Sequence, residues 1–137
     1  MTTTGRPIPT PDEASAPFFK AAKEGTLLLK FCPNCDRYLA PERDICDVCF
    51  NYKLEWRPSA GKGEVYTFII MHQITNPAFA NEVPYNVLTV ELDEGPRIKS
   101  NMVGVENSEI KVGQRVEVVF EDVNDEVAIP HFKPTTA

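Results

Sequence analysis

Cys32-Pro-Asn-Cys35-Asp-Arg-Tyr-Leu-Ala-Pro-Glu-Arg-Asp-Ile-Cys46-Asp-Val-Cys49 holds all four cysteines of this 137-residue chain. They form two Cys-x-x-Cys pairs separated by ten residues. Each pair puts two thiolates on one tight turn, where backbone amides can support the sulfurs. Two such turns facing each other complete a tetrahedral four-sulfur metal site. The spacing between the pairs is shorter than the commonest zinc template. It is long enough for a small hairpin, which the segment Asp36 to Ile45, with Pro41, is expected to supply. Zinc is the expected ion; iron held by the same sulfurs, a redox dithiol and a metal site that has lost its ion are the alternatives. Four cysteines leave no open position for water, so the metal is expected to be structural. A segment of about 25 residues has too little core to fold without a clamp. Zinc binding contributes on the order of 10–16 kcal/mol in small ribbons of this kind.

Upstream of the cysteines, residues 1–9 carry Pro7 and Pro9 without periodicity and read as an extended arm. Thr10-Pro-Asp-Glu13 reads as a helix start, with Thr10 as cap, Pro11 in the first turn and Glu13 reaching back. Pro17 interrupts, so the helix is expected from about Ala16 to Glu24, stopped by Gly25. Phe18, Phe19 and Ala22 give it one apolar side, which either covers the core or docks on a partner subunit. Thr26 to Phe31 is a short apolar strand leading into the cysteine segment, and Leu54 and Trp56 lead out of it. Pro58-Ser-Ala-Gly61-Lys-Gly63 is a break. Beyond it the period changes to that of strands. Leu88, Val90 and Leu92 alternate with Thr89 and Glu91, Asp93-Glu-Gly95 is a hairpin turn, and Val116, Val118 and Phe120 alternate with Glu117 and Glu121. About five strands follow Gly63 with no helical period. A small antiparallel barrel, which removes exposed edges, fits them. The expected class is mostly β: a short N-terminal helix, a four-cysteine zinc ribbon and a five-stranded OB-type barrel, although pattern alone does not separate OB from SH3-like barrels. The expected segments are an arm over 1–9, a helical segment over 10–25, the ribbon over 26–57 and the barrel over 60–134.

Composition excludes several classes. The chain is 42% hydrophobic and 25% charged, ordinary for a globular protein. No apolar run approaches the roughly 18 residues that span a bilayer, so no membrane is expected. The first residues lack the apolar core of a signal peptide, which predicts a cytoplasmic location, where thiols stay reduced. Fourteen basic against twenty acidic residues give a formal charge of −6, which disfavours a phosphate backbone as partner. There is no Gly-rich phosphate loop and no His-Glu-x-x-His. With every cysteine assigned to metal, no thiol nucleophile remains. Of the two histidines, His131 lies between Pro130 and Phe132 near a strand end and reads as packed or capping rather than catalytic. His72 opens the longest irregular segment, Gln73 to Tyr85, and long loops are often functional. His72, Asn76, Phe79 and Tyr85, together with Phe18 and Phe19, are the candidates for contact with a partner or ligand. No catalytic residue is assigned.

In this order and spacing, the motifs resemble the family of OB-fold proteins with a rubredoxin-like zinc ribbon. They are Phe18-Phe19 with Gly25, Cys32-Pro-Asn-Cys35, Cys46-Asp-Val-Cys49, Gly61-Lys-Gly63-Glu-Val-Tyr66, Pro84-Tyr85, Asp93-Glu-Gly95, Val112-Gly113 and Pro130-His-Phe132. The resemblance covers about Pro11 to Pro134. Two departures stand out: Asp36 where the family often has Gly after the second cysteine, and Ala40-Pro41-Glu42-Arg43 where two prolines often precede the arginine. Asp36 still tolerates a positive φ, and neither departure touches a ligand. The resemblance implies acyl-CoA metabolism. It points to a small, non-catalytic accessory subunit of a thiolase-like or lipid-transfer-protein-type partner, in an aldolase (steroid side-chain retro-aldol) or acyltransferase assembly. The partner would hold the catalytic residues while this chain completes the CoA or acyl channel. Lys20, Lys23, Arg37 and Arg43 are then the candidates for CoA phosphate contact.

Two other classes compete. OB barrels and zinc ribbons also bind nucleic acid, but from Gly63 to Lys133 acidic residues outnumber basic ones more than twofold, which makes a backbone-tracking groove hard to build. A rubredoxin-like electron carrier would hold iron and be red.

Overall fold

A computed structural model of the chain describes residues 9–74 and 77–135. The expected arm over 1–9, Pro9 apart, and Asn76 lie outside these residues.

Helix α1 spans Ala16–Lys23. Thr10 does not cap it. Instead Asp12 and Ser15 bond each other: Ser15 N–H and Oγ–H both donate to Asp12 Oδ1 at 2.8 Å, and Asp12 N–H donates to Ser15 Oγ at 3.0 Å. These bonds hold the Asp12 carboxyl below its ordinary range. Glu13, expected to reach back, lies in the turn between them. Pro17 sits in the first turn, where its missing N–H costs nothing. At the other end Gly25 takes φ +89°. Thr26 N–H bonds the Ala21 carbonyl at 2.8 Å and Gly25 N–H that of Ala22 at 3.0 Å. This is the Schellman pairing that a left-handed glycine permits. The helix docks on its own chain: Ala22 is buried, Phe18 packs on the main core, and Lys23 Nζ reaches Asp122 at 3.1 Å and the Asn124 carbonyl at 2.7 Å.

Two antiparallel sheets follow. The small one has β1 (Leu28–Cys32), β2 (Arg37–Leu39) and β3 (Glu55–Pro58) in the order β2-β1-β3. The hairpin is β1–β2, with Cys32 facing Arg37, so its turn is the first Cys-x-x-Cys itself. The segment Asp36 to Ile45 supplies β2 and the loop after it rather than a hairpin of its own.

The large sheet has β4 (Lys62–Met71), β5 (Tyr85–Leu92), β6 (Arg97–Ser100), β7 (Arg115–Asp122) and β8 (Ala128–Pro134). Its order is β6-β5-β4-β7-β8. β6 is only four residues long. Just past it Met102 makes a parallel bridge to Phe132 of β8, and Val103 N–H bonds the Phe132 carbonyl at 2.8 Å. The first strand of this sheet pairs with the fourth, and the segment just past the third is bridged in parallel to the fifth. That closure is the OB pattern of a partly open five-stranded barrel, and it separates the fold from an SH3-like barrel.

Alternation decides which side chains face inward. Leu88, Val90 and Leu92 are all buried, as their spacing predicts. β4 behaves differently because its register shifts between Val65 and Thr67. Such a bulge adds one residue and switches the inward row. Val65 is inward before it, and Phe68 and Ile70 pack on the core after it. Gly63 is required where β4 crosses β5, since a Cβ there would lie 2.3 Å from the Glu91 carbonyl oxygen.

The two sheets share one core. Leu27, Leu29 and Tyr38 from the ribbon side pack with Val65, Leu88, Val90, Val116 and Phe132 of the barrel. Phe31 and Cys32, further along β1, are buried as well.

Among the described residues one polar side chain is buried, that of Asn86, on the inward row of β5. It is fully paired: its Nδ2 donates to the Met102 carbonyl and to Asn107 Oδ1, both at 3.0 Å, and its Oδ1 accepts the Met102 N–H. These bonds hold the segment that closes the barrel. Asn86→Ala would leave two buried backbone groups of Met102 without partners, each costing about 1–3 kcal/mol. Urea unfolding of this variant is expected to show a loss of about 2–4 kcal/mol, against under about 1.5 kcal/mol for Asn107→Ala.

Candidate metal centre

The four cysteine sulfurs lie within 4.8 Å of one another. Cys32 and Cys35 come from the turn between β1 and β2, and Cys46 and Cys49 from the loop before β3. The two turns are built alike. Asp36 N–H bonds the Cys32 carbonyl at 2.8 Å and Phe50 N–H the Cys46 carbonyl at 3.0 Å. The residue after each pair is left-handed, Asp36 at φ 53° and Phe50 at φ 62°. The first was expected from its side chain; the second was not, because phenylalanine rarely adopts this region.

The sulfurs are supported from outside. Val48 N–H points at Cys46 Sγ at 3.4 Å, and Asn34 Nδ2 approaches Cys49 Sγ at 3.9 Å. Amide hydrogen bonds from Cys49 and Val48 lower the Cys46 thiol to about 6, against the opposing effect of burial. Cys35 moves the other way, to about 12. Its hydrogen bond with Cys49 is the main cause, followed by burial and the neighbouring Cys46 and Cys32. Four ionised thiolates this close need a cation among them.

The donor set fits one. A tetrahedral site with metal–sulfur bonds of about 2.3 Å has edges of about 3.8 Å. The Cys32–Cys49 and Cys46–Cys35 sulfur separations are 3.6 and 3.9 Å. A metal ion bound there would lock the two turns face to face. Around the site, Arg37 pairs with Asp47 and Arg43 reaches the same carboxylate at 3.5 Å, holding Asp47 below the usual carboxylate range. Lys30 Nζ donates to the Arg43 carbonyl at 2.7 Å and stacks over Trp56, 4.6 Å from its centroid.

The remaining candidates do not converge on one place. Phe18 and Phe19 sit edge to face, 5.2 Å between centroids. They line a groove of about 800 Å³ with Lys30, Trp56, Tyr66, Arg97 and Lys99. Tyr85 lines a separate cleft of about 720 Å³ with Glu82, Asn101, Glu121 and His131. His72 is exposed just past β4, and Phe79 ends a 3-10 turn over Pro77–Phe79. Of the basic candidates, Lys20 is exposed on α1, Lys23 is held by Asp122, and Arg37 and Arg43 share Asp47. Arg97 and Lys99, which border the aromatic groove with Lys30, were missed by sequence reasoning. It read His131 as packed or capping; its Nε2 lies 2.7 Å from Glu121 Oε1. Glu121 faces Ile129, two residues from His131 along β8, a diagonal pair that no local motif marks.

A four-cysteine ribbon sharing its core with an OB-type half barrel defines a class of small β proteins with a helix at one side. Within that class, the chain belongs to the DUF35 family. The model for "ChsH2, C-terminal OB-fold domain" matches residues 56–121. A DUF35 domain-containing scaffold protein of Methanothermobacter thermautotrophicus is 35% identical over 96 residues, covering 69% of this chain and 71% of that protein. A probable enoyl-CoA hydratase alpha subunit of Thermomonospora curvata is 34% identical over 129 residues. That match takes in 94% of this chain but spans only 40% of the hydratase subunit's length. Among solved structures, a chain of the Ltp2-ChsH2(DUF35) aldolase superposes with a TM-score of 0.79 at 33% identity, over 93% of this chain and 98% of that one.

Metal loading is expected to depend on pH, because protons and the ion compete for the same sulfurs. At pH 7 the metal-free chain has Cys46 largely ionised and Cys35 protonated, so binding must release protons. Loading followed by elemental analysis is expected to fall as pH drops through 6. Cys46→Ser is expected to abolish stoichiometric metal and to lower the thermal midpoint, and chelation of the wild type to do the same.

Proposed function

We propose that this chain is a non-catalytic accessory subunit of a thiolase-like acyl-CoA enzyme. It would use zinc as a structural clamp, steady the complex and complete one wall of the CoA or acyl channel. The observation that carries the reading is the likeness, in sequence and in fold over nearly its whole length, to a chain of the Ltp2-ChsH2(DUF35) aldolase. The scaffold-protein name of the archaeal relative and the acyl-CoA enzyme named for the actinobacterial one support it. Aldol cleavage, as in steroid side-chain breakdown, is the favoured partner reaction, with acyl transfer second.

The residues are consistent with that division of labour. Among the described residues the cysteines are gathered in one cluster, and no Ser–His–Asp arrangement accompanies them. For a CoA nucleotide, the aromatic groove is better furnished than the basic set picked from sequence. Lys23, Arg37 and Arg43 are each engaged by a carboxylate; Arg97 also pairs with Glu91 at 3.2 Å and Lys30 donates to the Arg43 carbonyl, but these two and Lys99 border Trp56 and Tyr66 in one groove. Arg97 lies 3.7 Å over the Tyr66 ring, the geometry of a cation–π pair. Aromatic faces take a base and cations take phosphates. The nucleic-acid reading meets the acidic composition and is the weaker one.

Coexpression with the thiolase-like chain of its own genome, followed by gel filtration and an acyl-CoA cleavage assay, tests the proposal. A stable hetero-oligomer with higher activity than the partner alone is expected. Equal solubility and activity of the lone partner would refute it. Elemental analysis of the purified complex is expected to give one zinc per chain and no red colour. In the complex, Lys99→Glu is expected to raise KM for acyl-CoA about tenfold or more with kcat unchanged, the loss of one charge-assisted contact.

A further inference from the structure

The second cysteine turn carries a row of exposed apolar side chains. Ile45 is 49% exposed, Val48 62%, Phe50 73% and Tyr52 73%. All lie within eight residues around Cys46 and Cys49. Phe50 has the left-handed backbone described above. The equivalent residue of the first turn is Asp36, a type that tolerates φ > 0, and glycine would take this conformation without strain. A bulky ring is therefore kept at a conformational cost in a place where it packs on little of its own chain. Intrachain stability gives no reason for that choice.

We propose that this turn is the docking tip for the thiolase-like partner, with Phe50 as the anchor that enters an apolar pocket on the partner's surface. The inference rests on the accessory-subunit reading and names the surface that serves it. The tip is preorganised: Phe50 N–H is bonded to the Cys46 carbonyl, Cys46 N–H to the Asn51 carbonyl at 2.9 Å, and Lys53 N–H to Asn51 Oδ1 at 3.0 Å. A rigid aromatic anchor loses little conformational freedom on binding. A second copy of this chain is the poorer occupant for two reasons. Four exposed side chains offer a few hundred Å² of apolar surface, an aromatic contributing about 150–250 Å² when fully buried. A stable dimer needs about 800 Å² from each partner. Two copies, each with a formal charge of −6, also repel when brought tip to tip. A larger partner supplies the missing area around the tip, and an uncharged or basic rim on its pocket suits the acidic chain.

Phe50→Gly separates docking from folding. It removes the ring and relieves the backbone, so the thermal midpoint of the lone chain is expected to stay level or rise. Affinity for the purified thiolase-like partner, measured by calorimetry, is expected to fall at least tenfold. Tyr52→Ser, which leaves the left-handed position untouched, is expected to weaken binding at least threefold with an unchanged midpoint. A Phe50→Gly chain that binds within twofold of wild type would overturn the tip assignment. So would a marked drop in its midpoint, since the ring would then belong to the chain's own packing. Loss of a concentration-dependent homodimer, with partner affinity kept, would overturn it in favour of self-association. If the wild-type chain itself fails to bind the partner, the accessory-subunit reading falls first and the tip assignment with it.

Discussion

Four sulfurs held within 4.8 Å of one another are the constraint on which the ribbon depends. The apolar cluster at that end is small: Cys32, Leu39 and Cys46 are buried, with Cys35 and Leu54 against them. Burial at about 25 cal/mol per Å² of so few side chains is small beside the chain entropy of ordering two loops and three short strands. The protein therefore concentrates its local hydrogen bonding on the sulfurs. Amides from Val48 and Cys49 face Cys46, Asn34 approaches Cys49, and Asp47 is clasped by two arginines that bracket the turns. What the ribbon lacks in core it makes up in donor geometry suited to a cation.

The barrel depends on a different device. Its closure uses one parallel bridge and the amide of Asn86 rather than a continuous ladder. A polar residue on an inward row is tolerated because each of its side-chain groups has a partner. Helix α1 then covers the β7–β8 end through Phe18 and the Lys23–Asp122 pair.

Much of this was legible in advance, and the reasons differ by element. The cysteine spacing identified the ribbon because metal chemistry is local in sequence. The row Leu88, Val90 and Leu92 read correctly because period-two burial survives wherever a strand is regular. Gly25 marked the helix end because few residues take its backbone angle. The failures share a cause. The bulge at Tyr66, the Asn86 network, the His131–Glu121 pair and the grouping of Lys30 with Arg97 and Lys99 are set by residues far apart in the chain. Thr10 does not cap the helix because the chain enters it through a turn in which Asp12 and Ser15 bond each other, and the N-cap Ser15 makes no side-chain cap bond. The basic residues chosen from sequence were singled out by proximity along the chain, whereas the fold spends three of them on neighbouring carboxylates.

Strand β1 contributes to both buried clusters. Leu29 is sunk in the barrel's interior while Cys32, three residues on, belongs to the sulfur cluster. The small sheet shares the barrel's core through Leu27, Leu29 and Tyr38, like a bracket bolted through the wall of the large one. Whatever grips the far end of that bracket thereby fixes the heading of the barrel, so a partner needs to hold only one end of the molecule to aim the other.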